Sequence, residues 1–205
     1  MVGQHPAEAG ATPKSGGAEM RGAERFALLL RIAKLIGDGC EFLCVLRDAS
    51  ATGVAVKLFH SLPDDMPLML EMPNGDRHPV QKVWENDGKA GFRFLMPVDI
   101  DRFISGPSSH PSRPVRANIN LPVVAVVAGR QVPAHFCNIS QQGALMTCSD
   151  HLAVMQRIRI ESPELPDLTA TVRWRREMDY GLVFENTFTL GQLAVLLDKL
   201  QAHHK

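Results

Sequence analysis

One constellation in this chain has the chemistry to hold a ligand, and it occurs twice. In the first half it is Arg21-x-x-x-Arg25 followed by Asp48-x-Ser50-x-x-Gly53, and in the second Arg113-x-x-Arg116 followed by Asn138-x-Ser140-x-x-Gly143. The second arginine precedes the acid by 23 residues in the first copy and the amide by 22 in the second. Arginine's planar fork can donate two parallel hydrogen bonds to guanine O6 and N7, and its charge also answers phosphate. A guanidinium can in addition stack on a purine face. Aspartate accepts from the guanine N1 and N2 donors, serine donates to a phosphate or a base, and glycine lets the backbone approach closely. Together these residue types describe a site for a ligand that bears both guanine and phosphate. Each piece alone has a plainer explanation, a solvated arginine pair or a turn whose Asp or Asn bonds its own backbone. Joint recurrence at matching distance lifts the constellation above that explanation.

Other chemistry finds no residues. The chain has no GxSxG, P-loop, HExxH or GxGxxG segment. Its eight histidines are dispersed, with His203 and His204 in a terminal tail. Asp99 and Asp101 flank Ile100 at the start of a short helix, where the dipole favours carboxylates. The four cysteines, Cys40, Cys44, Cys137 and Cys148, lack zinc-ligand spacing and read as reduced thiols packed as small hydrophobes. The expectation is a protein that is not an enzyme, with no metal and no cofactor.

The elements that must position the constellation are themselves duplicated. A shift of 90 residues superposes Trp84 on Trp174, the two tryptophans of the chain, and Gly91 and Phe94 on Gly181 and Phe184. It also superposes Ser50 and Gly53 on Ser140 and Gly143, so one register holds without a gap from Asp48 to Phe94. Within each copy the pattern is of short strands. Arg157 to Ile160 alternates, Thr169 to Arg175 alternates around Ala170, Val172 and Trp174, and Val123 to Gly129 is a β-branched run ending in a turn residue. Asn74 to Asp76 is a turn between strands. Leu193, Leu196, Leu197 and Leu200 have a helical period, Val98 to Ile104 makes at most a shorter helix, and Phe26 to Leu35 suits either strand or helix. The tryptophans read as barrel packing. Arg173, Arg175 and Arg176 read as a solvated strand face, with a second phosphate contact as the alternative, and Met66, Met69 and Met72 as lining a core or an interface.

Two Gly/Pro/Ser-rich breaks divide the chain. Residues 1–19 form a lead without apolar period, and Ser105 to Pro114 is a linker. The expected division is a flexible lead at 1–19, a first domain at 20–104, a linker at 105–112 and a second domain at 113–205. The chain has 205 residues, 45% of them hydrophobic, with 22 basic against 22 acidic side chains and a net charge of +0. This balance argues against coating a nucleic acid polymer or an anionic membrane through the overall field. No signal peptide and no spanning segment are read, so a cytoplasmic location is expected.

On the arginine motif, the [D/N]xSxxG segment and the tryptophan-bearing strand that runs into GxxF, the sequence resembles a tandem of two PilZ domains. The resemblance covers Arg21 to about Ile104 and Arg113 to about Leu200. It implies a mainly all-β chain of two tandem six-stranded antiparallel β-barrels with a C-terminal helix, each a receptor for cyclic di-GMP. The ligand-binding residues it implies are Arg21, Arg25, Asp48, Ser50 and Gly53 in the first copy, and Arg113, Arg116, Asn138, Ser140 and Gly143 in the second. The second copy departs in one place. The family's first arginine would fall at Ser112, whereas Arg113 lies one residue closer to Arg116, and Pro114 stiffens the segment. Asn138 also accepts less strongly than an aspartate. What the resemblance implies is a non-catalytic receptor whose ligand draws each arginine segment onto its barrel and changes interdomain orientation or the binding of an unidentified protein effector. Members bind the dinucleotide as monomers or as intercalated dimers, which leaves a homodimer open. The rival expectation is a degenerate PilZ scaffold that binds proteins and no nucleotide in one or both domains.

Overall fold

A computed structural model of the protein describes residues 26–63, 66–105 and 114–202. The lead at 1–19 and most of the linker, with Arg21, Arg25 and Arg113, lie outside the described residues. The first half contains β1 (Phe26–Gly37), β2 (Cys40–Ser50), β3 (Gly53–Lys57), β4 (Leu68–Glu71), β5 (Arg77–Asn86), β6 (Lys89–Phe94) and α1 (Ile100–Ser105). The second contains β7 (Ala117–Val127), β8 (Arg130–Ile139), β9 (Gly143–Cys148), β10 (Arg157–Glu161), β11 (Leu168–Arg176), β12 (Asp179–Phe184) and α2 (Leu190–Ala202).

Each set of six strands closes into an antiparallel barrel with the same order, β1-β2-β3-β6-β5-β4 in the first and β7-β8-β9-β12-β11-β10 in the second. Tight turns join neighbouring strands in both. Asp38-Gly39, Asp87-Gly88 and Ala128-Gly129 all have positive φ at both positions, the geometry that matches the twist of a two-residue hairpin. The segment that suited either strand or helix, Phe26 to Leu35, is strand. It lies between two partners, β2 through Lys34↔Leu43 and β4 through Lys34↔Glu71, and the second pairing closes the barrel. Alternation then fills each interior. Val54 and Val56 of β3, Ile158 and Ile160 of β10, and Ala170 and Val172 of β11 are buried.

The two helices end the barrels differently. Asp99 caps α1 by accepting the Arg102 N–H at 3.2 Å, and Phe103 packs edge-on against Phe94 with ring centres 5.5 Å apart. Thr189 and Gln192 form a reciprocal cap on α2: Gln192 N–H donates to Thr189 Oγ1 at 3.2 Å and Thr189 N–H donates to Gln192 Oε1 at 2.9 Å. The buried stripe of α2, Leu193, Ala194, Leu196, Leu197 and Leu200, belongs to the second core. The same helix touches β2 of the first barrel as well as β7. Leu43 of β2 is buried in that second core and Phe59 packs against it, so α2 joins the barrels.

Candidate ligand-binding sites

Asp48 and Asn138 reach the outer barrel surface because β-bulges turn them there. Along β2, Leu46 pairs with Val56 and is buried. A bulge follows, and Asp48 pairs with Ala55, whose side chain points outward. In β8 the same break separates buried Phe136, paired with Met146, from Asn138, paired with Leu145. A second pair of bulges acts on the tryptophans. Val172 pairs with Leu182 on the inner face, but Trp174 pairs with Gly181 on the outer one, and Trp84 likewise pairs with Gly91. Both tryptophans are therefore half-exposed, at 46% and 45%, on the outer wall and not in the interior where simple alternation put them. Each indole lies across its partner glycine, since a Cβ at Gly91 or Gly181 would collide with the ring.

The register thus assembles one outward row across four strands of each barrel. It runs Asp48–Ala55–Gly91–Trp84 in the first and Asn138–Leu145–Gly181–Trp174 in the second. With strands spaced about 4.8 Å apart, such a row spans about 14 Å. It has a carboxylate or amide at one end, a small or aliphatic floor and an aromatic ring at the other. The tryptophans are the members that the sequence reading missed. Their recurrence with the GxxF segment was the available signal, and the bulge that exposes them was not.

In the second barrel an arginine stands at the head of this row. There the exposed Arg116 guanidinium donates to Asn138 Oδ1 at 3.1 Å. The structure therefore brings Arg116 and Asn138 together. The unequal spacing of the two copies also has a structural explanation. Ala117, the residue after Arg116, pairs with Ile139, and Phe26, the residue after Arg25, pairs with Ala49, the position equivalent to Ile139. The bulge in β1 between Ala27 and Arg31 holds one residue more than that in β7 between Asn118 and Leu121, and absorbs the difference.

Serine and glycine have structural partners. Ser140, buried at the end of β8, donates its hydroxyl to the Gly143 carbonyl at 3.0 Å, and its N–H donates to the same oxygen at 2.8 Å. Ser50 donates its hydroxyl to the Gly53 carbonyl at 3.4 Å. A Cβ at Gly53 would stand 2.7 Å from the Phe92 carbonyl oxygen, and one at Gly143 would collide with that of Leu182. These residues close the turn that holds Asp48 or Asn138 at the surface.

The second site borders the seam between the barrels. Asn118 pairs with Asn138 in the ladder and reaches across to Glu41 of the first barrel. Its backbone N–H and its Nδ2 donate to the two Glu41 carboxylate oxygens at 2.9 and 2.8 Å. Lys34 Nζ donates to Glu41 at 3.1 Å and to Glu71 at 2.9 Å, and Arg77 donates to Glu71 at 2.7 Å. Burial alone would push the Glu71 carboxyl up. The hydrogen bonds from Lys34 and Arg77 outweigh it and hold the group below its ordinary range.

Among the described residues no group of three His, Cys, Asp or Glu side chains could hold a metal ion. All four cysteines are free, and burial pushes the Cys44 thiol up to about 12. Arg173, Arg175 and Arg176 are exposed, with Arg175 against the His151 ring and not beside Asn138. Among the described residues no helix is long and apolar enough to cross a membrane.

Comparison with known proteins supplies a family. A family model of the PilZ domain matches residues 112–202. A search of curated proteins returns no significant match. Among solved structures the chain is similar to Borreliella burgdorferi PlzA in complex with c-di-GMP, at 11% identity and a TM-score of 0.34, covering 88% of this chain and 94% of that one. It is similar to the Bacillus subtilis inhibitor of motility MotI/DgrA at 16% identity and a TM-score of 0.34, covering 86% and 98%. It is also similar to Escherichia coli YcgR in complex with c-di-GMP at 12% identity and a TM-score of 0.31, covering 85% and 82%. The part of the chain that matches the PilZ domain model thus carries the second barrel with its Arg116 and Asn138, and the first barrel repeats that barrel's strand order.

Proposed function

We propose that the protein is a non-catalytic receptor for cyclic di-GMP that acts as an adaptor. Binding changes the relation of its two barrels or its affinity for a protein effector. The observation that carries this reading is the meeting of Arg116 with Asn138 on the outer wall of a PilZ domain, at the head of a row that ends in an exposed tryptophan. The ligand's phosphate takes the Arg116 guanidinium, which releases Asn138 to face a guanine edge. Leu145 and the Trp174 ring supply the apolar and stacking surface for the base. Arg113 joins from the linker side and Arg21 and Arg25 from the lead side, so that each ligand draws its arginine segment onto a barrel. Ser50, Gly53, Ser140 and Gly143 serve by fixing the turn behind Asp48 or Asn138.

Competition binding on the intact chain tests this reading. Labelled cyclic di-GMP should bind saturably, resist displacement by GTP, and bind more weakly to Arg25→Ala and Arg116→Ala. Absence of binding would overturn it.

A second reading, a scaffold without nucleotide, has one observation in its favour. The serine and glycine hydrogen bonds and contacts are accounted for by turn closure alone. An exposed arginine held against Asn138 has no such structural task, which favours the receptor.

A further inference from the structure

The second-barrel site lies where the first barrel reaches across the seam, and one side chain makes the crossing. Glu41 stands on β2 beyond the last β2–β3 pair, Val45↔Lys57, so its backbone N–H and C=O have no strand partner on that side. Gln201 of α2 supplies both: its Oε1 accepts from the Glu41 N–H, and its Nε2 donates to the Glu41 carbonyl at 3.0 Å. Lys34, itself only 6% exposed, fixes the carboxylate from behind. Glu41 is thus held by three groups before it meets β7. Its two oxygens then accept both the backbone and the side-chain N–H of Asn118. Asn118 is two residues beyond Arg116 and pairs directly with Asn138. A buried carboxylate on the first barrel therefore fixes the first residues of the strand that presents the second barrel's arginine.

We infer that Glu41 of the first barrel is a positioning residue for the second-barrel site, acting through Asn118 to hold the start of β7 so that Arg116 and Asn138 are set for an anionic guanine ligand. The inference rests on the receptor reading and adds that the second site is complete only when the first barrel is docked against it. Arginine carries many rotamers, and ordering its strand beforehand removes part of the entropy that binding would otherwise lose. By linkage, a ligand that favours the ordered β7 also favours the docked seam.

The test is a calorimetric titration of the intact chain with cyclic di-GMP, on the parent protein and on Glu41→Ala, Asn118→Ala and the double variant, with Arg116→Ala marking the heat that belongs to the second site. Losing the clamp should weaken the second site about tenfold, the equivalent of one well-placed hydrogen bond. The first site should keep its affinity. The double variant should be no weaker than the worse single one, because both changes break the same link, whereas general loss of structure would add. Should Glu41→Ala fail to fold, Asn118→Ala, at an exposed position, carries the test by itself. Second-site affinity within twofold of the parent in Asn118→Ala, or additive losses, would overturn the inference and leave the receptor reading intact. No binding by the parent protein would overturn both.

Discussion

Arg116 is exposed and meets Asn138 at the surface, so its guanidinium contributes little to the fold. Arg116→Ala should leave unfolding free energy within about 0.5 kcal/mol of the parent, while cyclic di-GMP binding at the second barrel is lost. Denaturant melts and a binding titration on the same preparation separate the two effects. Gly143 has the opposite character. Its α-carbon abuts the Leu182 carbonyl, so Gly143→Ala forces β9 away from β12 and should cost about 1–3 kcal/mol, read by urea unfolding. Ligand affinity should fall with it only as far as the turn behind Asn138 moves. Trp174 sits between these cases: half-exposed on the outer wall, it should tolerate replacement by alanine in stability better than a core aromatic does, yet lose stacking to the base. The sequence showed Arg116, Asn138, Ser140 and Gly143 as a set, but not that serine and glycine would satisfy each other within the turn. That division of labour depends on how closely β9 approaches β12, a distance that no local spacing encodes.

At the scale of elements, the strands were legible where alternation is uninterrupted and misleading where it breaks. Ala170, Val172 and Trp174 read as one inward face, and the first two are buried. Between Val172 and Trp174 one partner residue faces two, which flips the next side chain to the outside. Bulges at Leu46/Asp48 and Phe136/Asn138 do the same for the acid and the amide, so the irregular positions are the ones that build the site. Phe26 to Leu35 was ambiguous for a related reason: it is strand through its pairing with β2 and, from Lys34 onward, with β4 more than thirty residues away, and neither partner shows in the local pattern. That same pairing places Lys34 beside Glu71 and makes the barrel closure sensitive to acid. Glu71 has its carboxyl lowered in the folded state from an unfolded value of about 4.3. The stabilisation is therefore complete above that value and lost as pH falls through the folded one. The stability difference between the parent and Glu71→Gln should stay level from pH 7 down to about 5 and shrink as pH falls from there toward about 3, as thermal melts across that range would read. A difference that grows toward acid would contradict the assignment.

On the scale of the whole molecule, the duplication at a shift of 90 residues appears as two barrels of identical strand order, yet they are not independent beads. Leu43 of the first is buried in the core of the second, and α2 touches both. Leu43→Ala should cost about 2–4 kcal/mol and lower the unfolding cooperativity of the intact chain, as calorimetric scans would show by a second transition. Two cores this small each gain from such docking. The contact that makes it, Glu41 with Asn118, carried no mark in the sequence because its partners are 77 residues apart. A receptor of the proposed kind must bind cyclic di-GMP through the arginine-headed wall of its second barrel. The most direct measurement is isothermal titration of the intact protein beside Arg116→Ala. The parent protein should bind saturably, and the variant should lose the second-barrel share of that heat. No heat of binding from the parent protein, or an isotherm that Arg116→Ala leaves unchanged, would contradict the receptor reading.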